Sequence, residues 1–126
     1  MITIKSYTDR EQSKKLAEIL SLESADMVWE YQKDRFVGEP DYLNYPQFGH
    51  VIDKRDIPCW SLAALYAILP EINGVSFKIE KVKAEDGYNG YYYPIEYEGI
   101  VLIPYPKNPV DACYEMILKL NELKML

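Results

Sequence analysis

Apolar residues along this chain recur at two spacings, one helical and one alternating, and the switch between them marks the elements. Residues 57–72, IPCWSLAALYAILPEI, are the most apolar stretch. Leu62, Leu65, Tyr66 and Leu69 recur at helical spacing, and Ala63, Ala64, Ala67 and Ile68 fill most of the gaps. Pro58 suits a first helical turn, where its missing N–H has no intrahelical partner, and Pro70 stops the helix. This predicts a helix over 59–69 that is apolar nearly all round, the mark of a core helix.

A second helix is predicted over 109–124. Asn108 caps it, Pro109 takes the first position, and Asp111 meets the positive end of the dipole. Val110, Cys113, Met116, Ile117 and Leu120 form one face. A third follows the capping box of Thr8 and Glu11 over about 9–20. Its first half is polar and only Leu16, Ile19 and Leu20 offer a docking side, so it belongs on the surface.

Alternation predicts the strands. Met27, Trp29 and Tyr31 alternate with Val28, Glu30 and Gln32 over 26–32, the pattern of a half-buried strand, preferred over the helical continuation that the lack of a breaker after Leu22 would allow. Val75, Phe77 and Ile79 define another. Asp86-Gly87 and Asn89-Gly90 turn the chain into a return strand over 91–97, and Glu98-Gly99 leads into Ile100 to Ile103. Pro94 cannot donate within a middle strand, so either a bulge, the favoured reading, or one unpaired side of the strand is expected there. Residues 36–56 read as a long loop broken by Gly38, Pro40, Pro46 and Gly49. Together these predict a single α+β domain over 1–126. It has a small, mostly antiparallel sheet of three to four strands, two core helices on one face and the N-terminal helix at the edge.

Composition narrows the partners. The net charge of −6 lacks the clustered Lys and Arg that nucleic acid or an anionic membrane requires, so neither is an expected partner. No run approaches the roughly 20 apolar residues of a membrane span, and MITIKSYTDREQ lacks a signal-peptide core, which predicts a cytoplasmic protein. Cys59 and Cys113 are then reduced thiols. Twelve tyrosines stand against three phenylalanines, a choice that suits half-buried strands and contact surfaces.

Four groups are candidates for chemistry. Cys59, near a predicted helix N-terminus, with His50 as the only histidine, would be the pair of a small cysteine-dependent hydrolase or transferase. No glycine-built elbow accompanies it, and free cysteines are usually small buried hydrophobes. His50, Asp53, Asp56 and Cys59 recur every three residues, but Pro58 opposes the helix that would align them, so no metal or cofactor is expected. The carboxylates of Glu85, Asp86, Glu96 and Glu98 read as solvated faces. Tyr42, Tyr45 and Phe48 place three rings on the proline-spaced loop, either as anchors of a protein-binding surface or as a lid on the core.

Three segments carry a resemblance: Glu23-Ser24-Ala25-Asp26-Met27, Pro58-Cys59-Trp60-Ser61-Leu62 running to Leu69-Pro70, and Asn108-Pro109-Val110-Asp111-Ala112. In order and spacing the chain resembles a family of short proteins encoded by phages and mobile elements of gut anaerobic bacteria. That family has no assigned activity, so the resemblance implies no catalytic residues. It implies an accessory-gene setting, where non-enzymatic modules that bind host or element proteins are common. The expected function is therefore a non-catalytic interaction module. The cysteine enzyme is one alternative, and an acidic inhibitor mimicking nucleic acid through Glu115, Glu122 and their neighbours is the other.

Overall fold

A computed structural model of the chain describes residues 5–32, 35–36, 38–42, 55–84 and 90–126. The elements are those of an α+β protein, as the patterns predict. In chain order they are α1 (Arg10–Ala17), a 3-10 turn (Leu22–Ser24), β1 (Met27–Trp29), β2 (Tyr31–Gln32), β3 (Arg35–Phe36), β4 (Asp41–Tyr42) and β5 (Ile57–Cys59). Then come α2 (Leu62–Ile68), β6 (Lys78–Ile79), β7 (Val82–Lys83), β8 (Tyr91–Tyr92), β9 (Ile95–Tyr97), β10 (Ile100–Ile103) and α3 (Pro109–Glu122). They form two compact units, an N-terminal one of Tyr7–Ala64 and a C-terminal one of Leu65–Leu126 with Lys5 and Ser6.

The N-terminal unit is built on the antiparallel sheet β4-β1-β5. Met27 pairs with both Tyr42 and Cys59, and Val28 with both Asp41 and Pro58. Met27, Val28 and Trp29 point to alternate faces and are all buried, so both faces are covered here where alternation predicts one. The expected half-buried strand is therefore a central one. Its neighbour β5 corrects the helical reading of Pro58, which lies in a strand and not in a helical turn. Proline is tolerated there because β5 lies at one end of the strand order, where a missing donor interrupts no second ladder.

α1 packs on β5. Its capping box is one residue later than predicted: the Asp9 carboxylate accepts from the Gln12 amide at 2.8 Å, and Gln12 Oε1 accepts from the Asp9 amide at 3.2 Å. Two overlapping boxes, Thr8/Glu11 and Asp9/Gln12, are written in the sequence, and burial decides between them. Thr8 is fully buried and its hydroxyl is used elsewhere. The polar first half of α1 is also less exposed than expected, because Ser13 is fully buried beside Leu16.

α2 begins three residues later than predicted. Ser61 caps it, its hydroxyl oxygen accepting from the Ala64 amide at 3.2 Å. Asp26 holds Ser61 in turn, accepting from the Ser61 amide at 2.9 Å and from its hydroxyl. Leu65 is fully buried, whereas Ala63, Tyr66 and Ala67 are exposed, so the helix buries one side only.

In the C-terminal unit the order is β10-β9-β6, all antiparallel, with α3 packed on β9 and β10. Phe77, Ile95, Ala112, Met116 and Leu120 form the core, with Ile79, Tyr97 and Ile103 packed around them. α3 starts where its cap predicts: Asn108 Oδ1 accepts from the Asp111 amide at 2.8 Å. Lys5 Nζ lies 2.9 Å from the Asp111 carboxylate at the same end.

Pro94 makes no bulge. Lys78↔Glu96, Ile79↔Ile95, Val82↔Tyr92 and Lys83↔Tyr91 belong to one unshifted register. The Pro94 carbonyl still accepts from the Glu80 amide at 3.2 Å. Only the reciprocal bond, which needs a proline N–H, is absent, and the ladder reads as two pieces around it. The irregularity lies on β10, where register shifts between Val101 and Ile103. Glu98 and Gly99, at φ 50 and 81, make the tight turn predicted before β10. An Asn-Gly step builds a second one: Asn73 and Gly74 have φ 54 and 77 between the bridged Ile72 and Val75.

Candidate functional site

Cys59, the sequence candidate for a nucleophile, ends β5 and is fully buried. Thr8, Ser13, Trp29 and Trp60 surround it. The Thr8 and Ser13 hydroxyls lie 2.7 Å apart, and the Cys59 Sγ lies 3.6 Å from the Thr8 hydroxyl. Main chain completes the arrangement: Thr8 N–H donates to the Trp60 carbonyl at 3.0 Å, and Trp60 N–H donates to Thr8 Oγ1 at 3.2 Å. The Thr8 carbonyl accepts from Trp29 Nε1 at 3.3 Å and from the Cys59 thiol at 3.4 Å. Every buried side-chain polar atom among the described residues has a partner.

Electrostatics keep this thiol protonated. Burial raises its pKa, since a thiolate here would lose its hydration, and the negative Asp26 adds to the rise. Hydrogen bonds from Thr8 and Ser13 oppose the shift without reversing it. Cys113, on the buried face of α3, is pushed up to about 12 by burial. A nucleophilic cysteine needs the opposite setting, partly exposed and electropositive. The arrangement can do structural work: it ties Thr8, just ahead of the Asp9 cap of α1, to the end of β5 with a closed set of hydrogen bonds.

His50 and Asp53, proposed partners of Cys59 in catalysis or metal binding, lie outside the described residues. Asp56 is already engaged, its carboxylate accepting from the Tyr31 amide at 2.8 Å. No group of three or more His, Cys, Asp or Glu suited to a metal occurs among the described residues. Glu96 stands on β9 opposite Lys78 and Val101, and Glu98 sits in the exposed turn that follows. Glu85 and Asp86 are outside the described residues.

Of the three loop rings, Tyr42 belongs to β4, where its backbone pairs with Met27, and Tyr45 and Phe48 lie outside the described residues. Two exposed tyrosines outside the loop, Tyr91 and Tyr105, are found in the C-terminal unit. Tyr105 is 75% exposed and packs edge-on against Tyr92, ring centroids 5.5 Å apart. Tyr91 is 49% exposed on the same hairpin, with Lys81 Nζ 4.2 Å from its ring centre. The signal was available in sequence: Tyr105 stands between Pro104 and Pro106, and Tyr91, Tyr92 and Tyr93 run together. Exposed rings held by packed neighbours have little rotamer freedom left to lose, which favours use as contacts.

No protein-family model, curated protein or solved structure matches this chain.

Proposed function

We propose that this chain is a non-catalytic protein-interaction module of phage or mobile-element origin, acting in the cytoplasm on a host or element protein without contacting nucleic acid. The observation that carries the reading is the pair of exposed rings, Tyr91 and Tyr105, the latter packed on the half-buried Tyr92, set against a Cys59 that is buried and protonated. Aromatic anchors of this kind dominate interfaces, and their polar tips keep such a surface soluble while it is unoccupied. Tyr42, Tyr45 and Phe48 are assigned to the same function as a second set of contacts. The origin is supported by the three sequence segments that resemble the phage and mobile-element family.

A nuclease-treated pull-down from host lysate tests this, using wild type, Tyr91→Ser/Tyr105→Ser, and Tyr42→Ser/Tyr45→Ser/Phe48→Ser. Wild type is expected to retain one specific protein, and the Tyr91/Tyr105 variant to lose it with an unchanged melting temperature. Equal capture by all three proteins, or capture that disappears with nuclease, would remove the basis for the proposal.

A further inference from the structure

We infer that the C-terminal unit pairs weakly with a second copy of itself through the outer edge of β10, the two strands running antiparallel about a twofold axis. The two sides of this sheet differ. The β6–β7 side carries Lys78, Lys81 and Lys83, all exposed, and lysine along an edge is a common way to block pairing with another chain. β10 reads Ile-Val-Leu-Ile without a charge, and among the described residues it pairs with β9 alone. Ile100 is 64% and Val101 50% exposed. An edge with unprotected backbone and exposed β-branched residues is a template for strand addition.

Charge at the ends of the strand selects the occupant. Glu98 precedes β10 and Lys107 follows it, both exposed, and among the described residues neither makes an ion pair within 4 Å. Antiparallel pairing of two copies brings each Glu98 toward the Lys107 end of the other copy, and the twofold axis repeats that match. Parallel pairing would set like charges together. The register shift in β10 and the proline at 104 shorten the ladder, so the interface falls well below the roughly 1,200 Å² of stable complexes. Association is therefore weak and concentration-dependent. It stands apart from the proposed function: capture of a host protein can fail while self-pairing holds.

Sedimentation equilibrium of the full chain across a concentration series, at low and high salt, reads this directly. A monomer–dimer equilibrium that weakens with salt is expected. Val101→Lys places a charge on the exposed edge and should leave only monomer, with an unchanged thermal melt. Glu98→Lys and Lys107→Glu should each weaken dimerisation by about fivefold, and the double variant should restore it. A wild-type chain that stays monomeric up to about 1 mM overturns the inference. So does a dimer indifferent to Val101→Lys, or a charge reversal that the double variant fails to rescue.

Discussion

Replacing Thr8 by Val tests whether the hydrogen bonds around Cys59 hold the N-terminal unit together. Valine keeps the shape and β-branching of threonine but deletes the hydroxyl. In the folded protein that hydroxyl accepts from the Trp60 amide at 3.2 Å and meets the Ser13 hydroxyl at 2.7 Å, with all three residues buried. Losing the bonds removes about 1 kcal/mol, and stranding the buried Trp60 amide adds about 1–3, so Thr8→Val should cost about 2–4 kcal/mol. Thr8→Ser keeps the hydroxyl and loses one methyl, for about 1 kcal/mol. Both tryptophans, Trp29 and Trp60, lie in the N-terminal unit, so urea unfolding followed by tryptophan emission reports this unit selectively. A double-mutant cycle with Ser13→Ala should return a coupling of at least about 0.5 kcal/mol. A Thr8→Val variant within about 0.5 kcal/mol of wild type, or a more damaging Thr8→Ser, would mean that these bonds do not hold the unit together.

Three further outcomes follow from burial. Trp60 is fully buried and its Nε1 donates to the Ser24 hydroxyl at 3.0 Å, so Trp60→Ala should cost about 3–5 kcal/mol in the same assay. Deleting residues 109–126 removes Val110, Cys113, Met116, Ile117 and Leu120 from the buried face of α3. At about 1.5–3 kcal/mol each, against a typical total of about 5–15, the C-terminal unit should lose its cooperative transition by near-UV circular dichroism. The thiols make stability fall in alkali. The folded pKa of Cys113 is pushed up from 9.0 to about 12, so over that range the folded chain keeps a proton that the unfolded chain has released, and Cys59 is raised in the same direction. The loss from Cys113 should approach about 1.4 kcal/mol per pH unit, with Cys59 adding to it, and Cys59→Ala/Cys113→Ala should flatten that slope in urea titrations.

Local chemistry made some elements legible and tertiary pairing hid others. α3 could be read to its cap because Asn108, Pro109 and an unbroken apolar stripe act within one helix. The β6–β9 hairpin and the Glu98-Gly99 turn were legible for the same reason. β5 was not, since Pro58 beside an apolar run looks like a helix start, and only pairing with β1 makes it a strand. Thr8 and Asp9 are equal as caps in sequence, and packing against β5 assigns Thr8 to the interior and Asp9 to the helix. Ser13 gave no sign of burial because a polar residue joins no apolar pattern. Pro94 was expected to bulge its own strand, whereas the register shift lies on β10, a neighbour that periodicity cannot see. At the candidate site, the inward position of Cys59 agrees with the usual place of a free cysteine. Tyr105, set between Pro104 and Pro106, joins no helical or alternating pattern, so periodicity gives it no role.

Cys59 is built as a structural thiol, and the interaction role proposed above depends on that. The most direct test is the rate at which an aromatic disulfide reagent labels native Cys59 in a Cys113→Ala background at neutral to mildly alkaline pH. Burial and the raised thiol pKa predict labelling no faster than the N-terminal unit unfolds, with immediate reaction only in denaturant. Rapid, pH-sensitive labelling of the folded chain would contradict the account and return Cys59 to the role of a nucleophile.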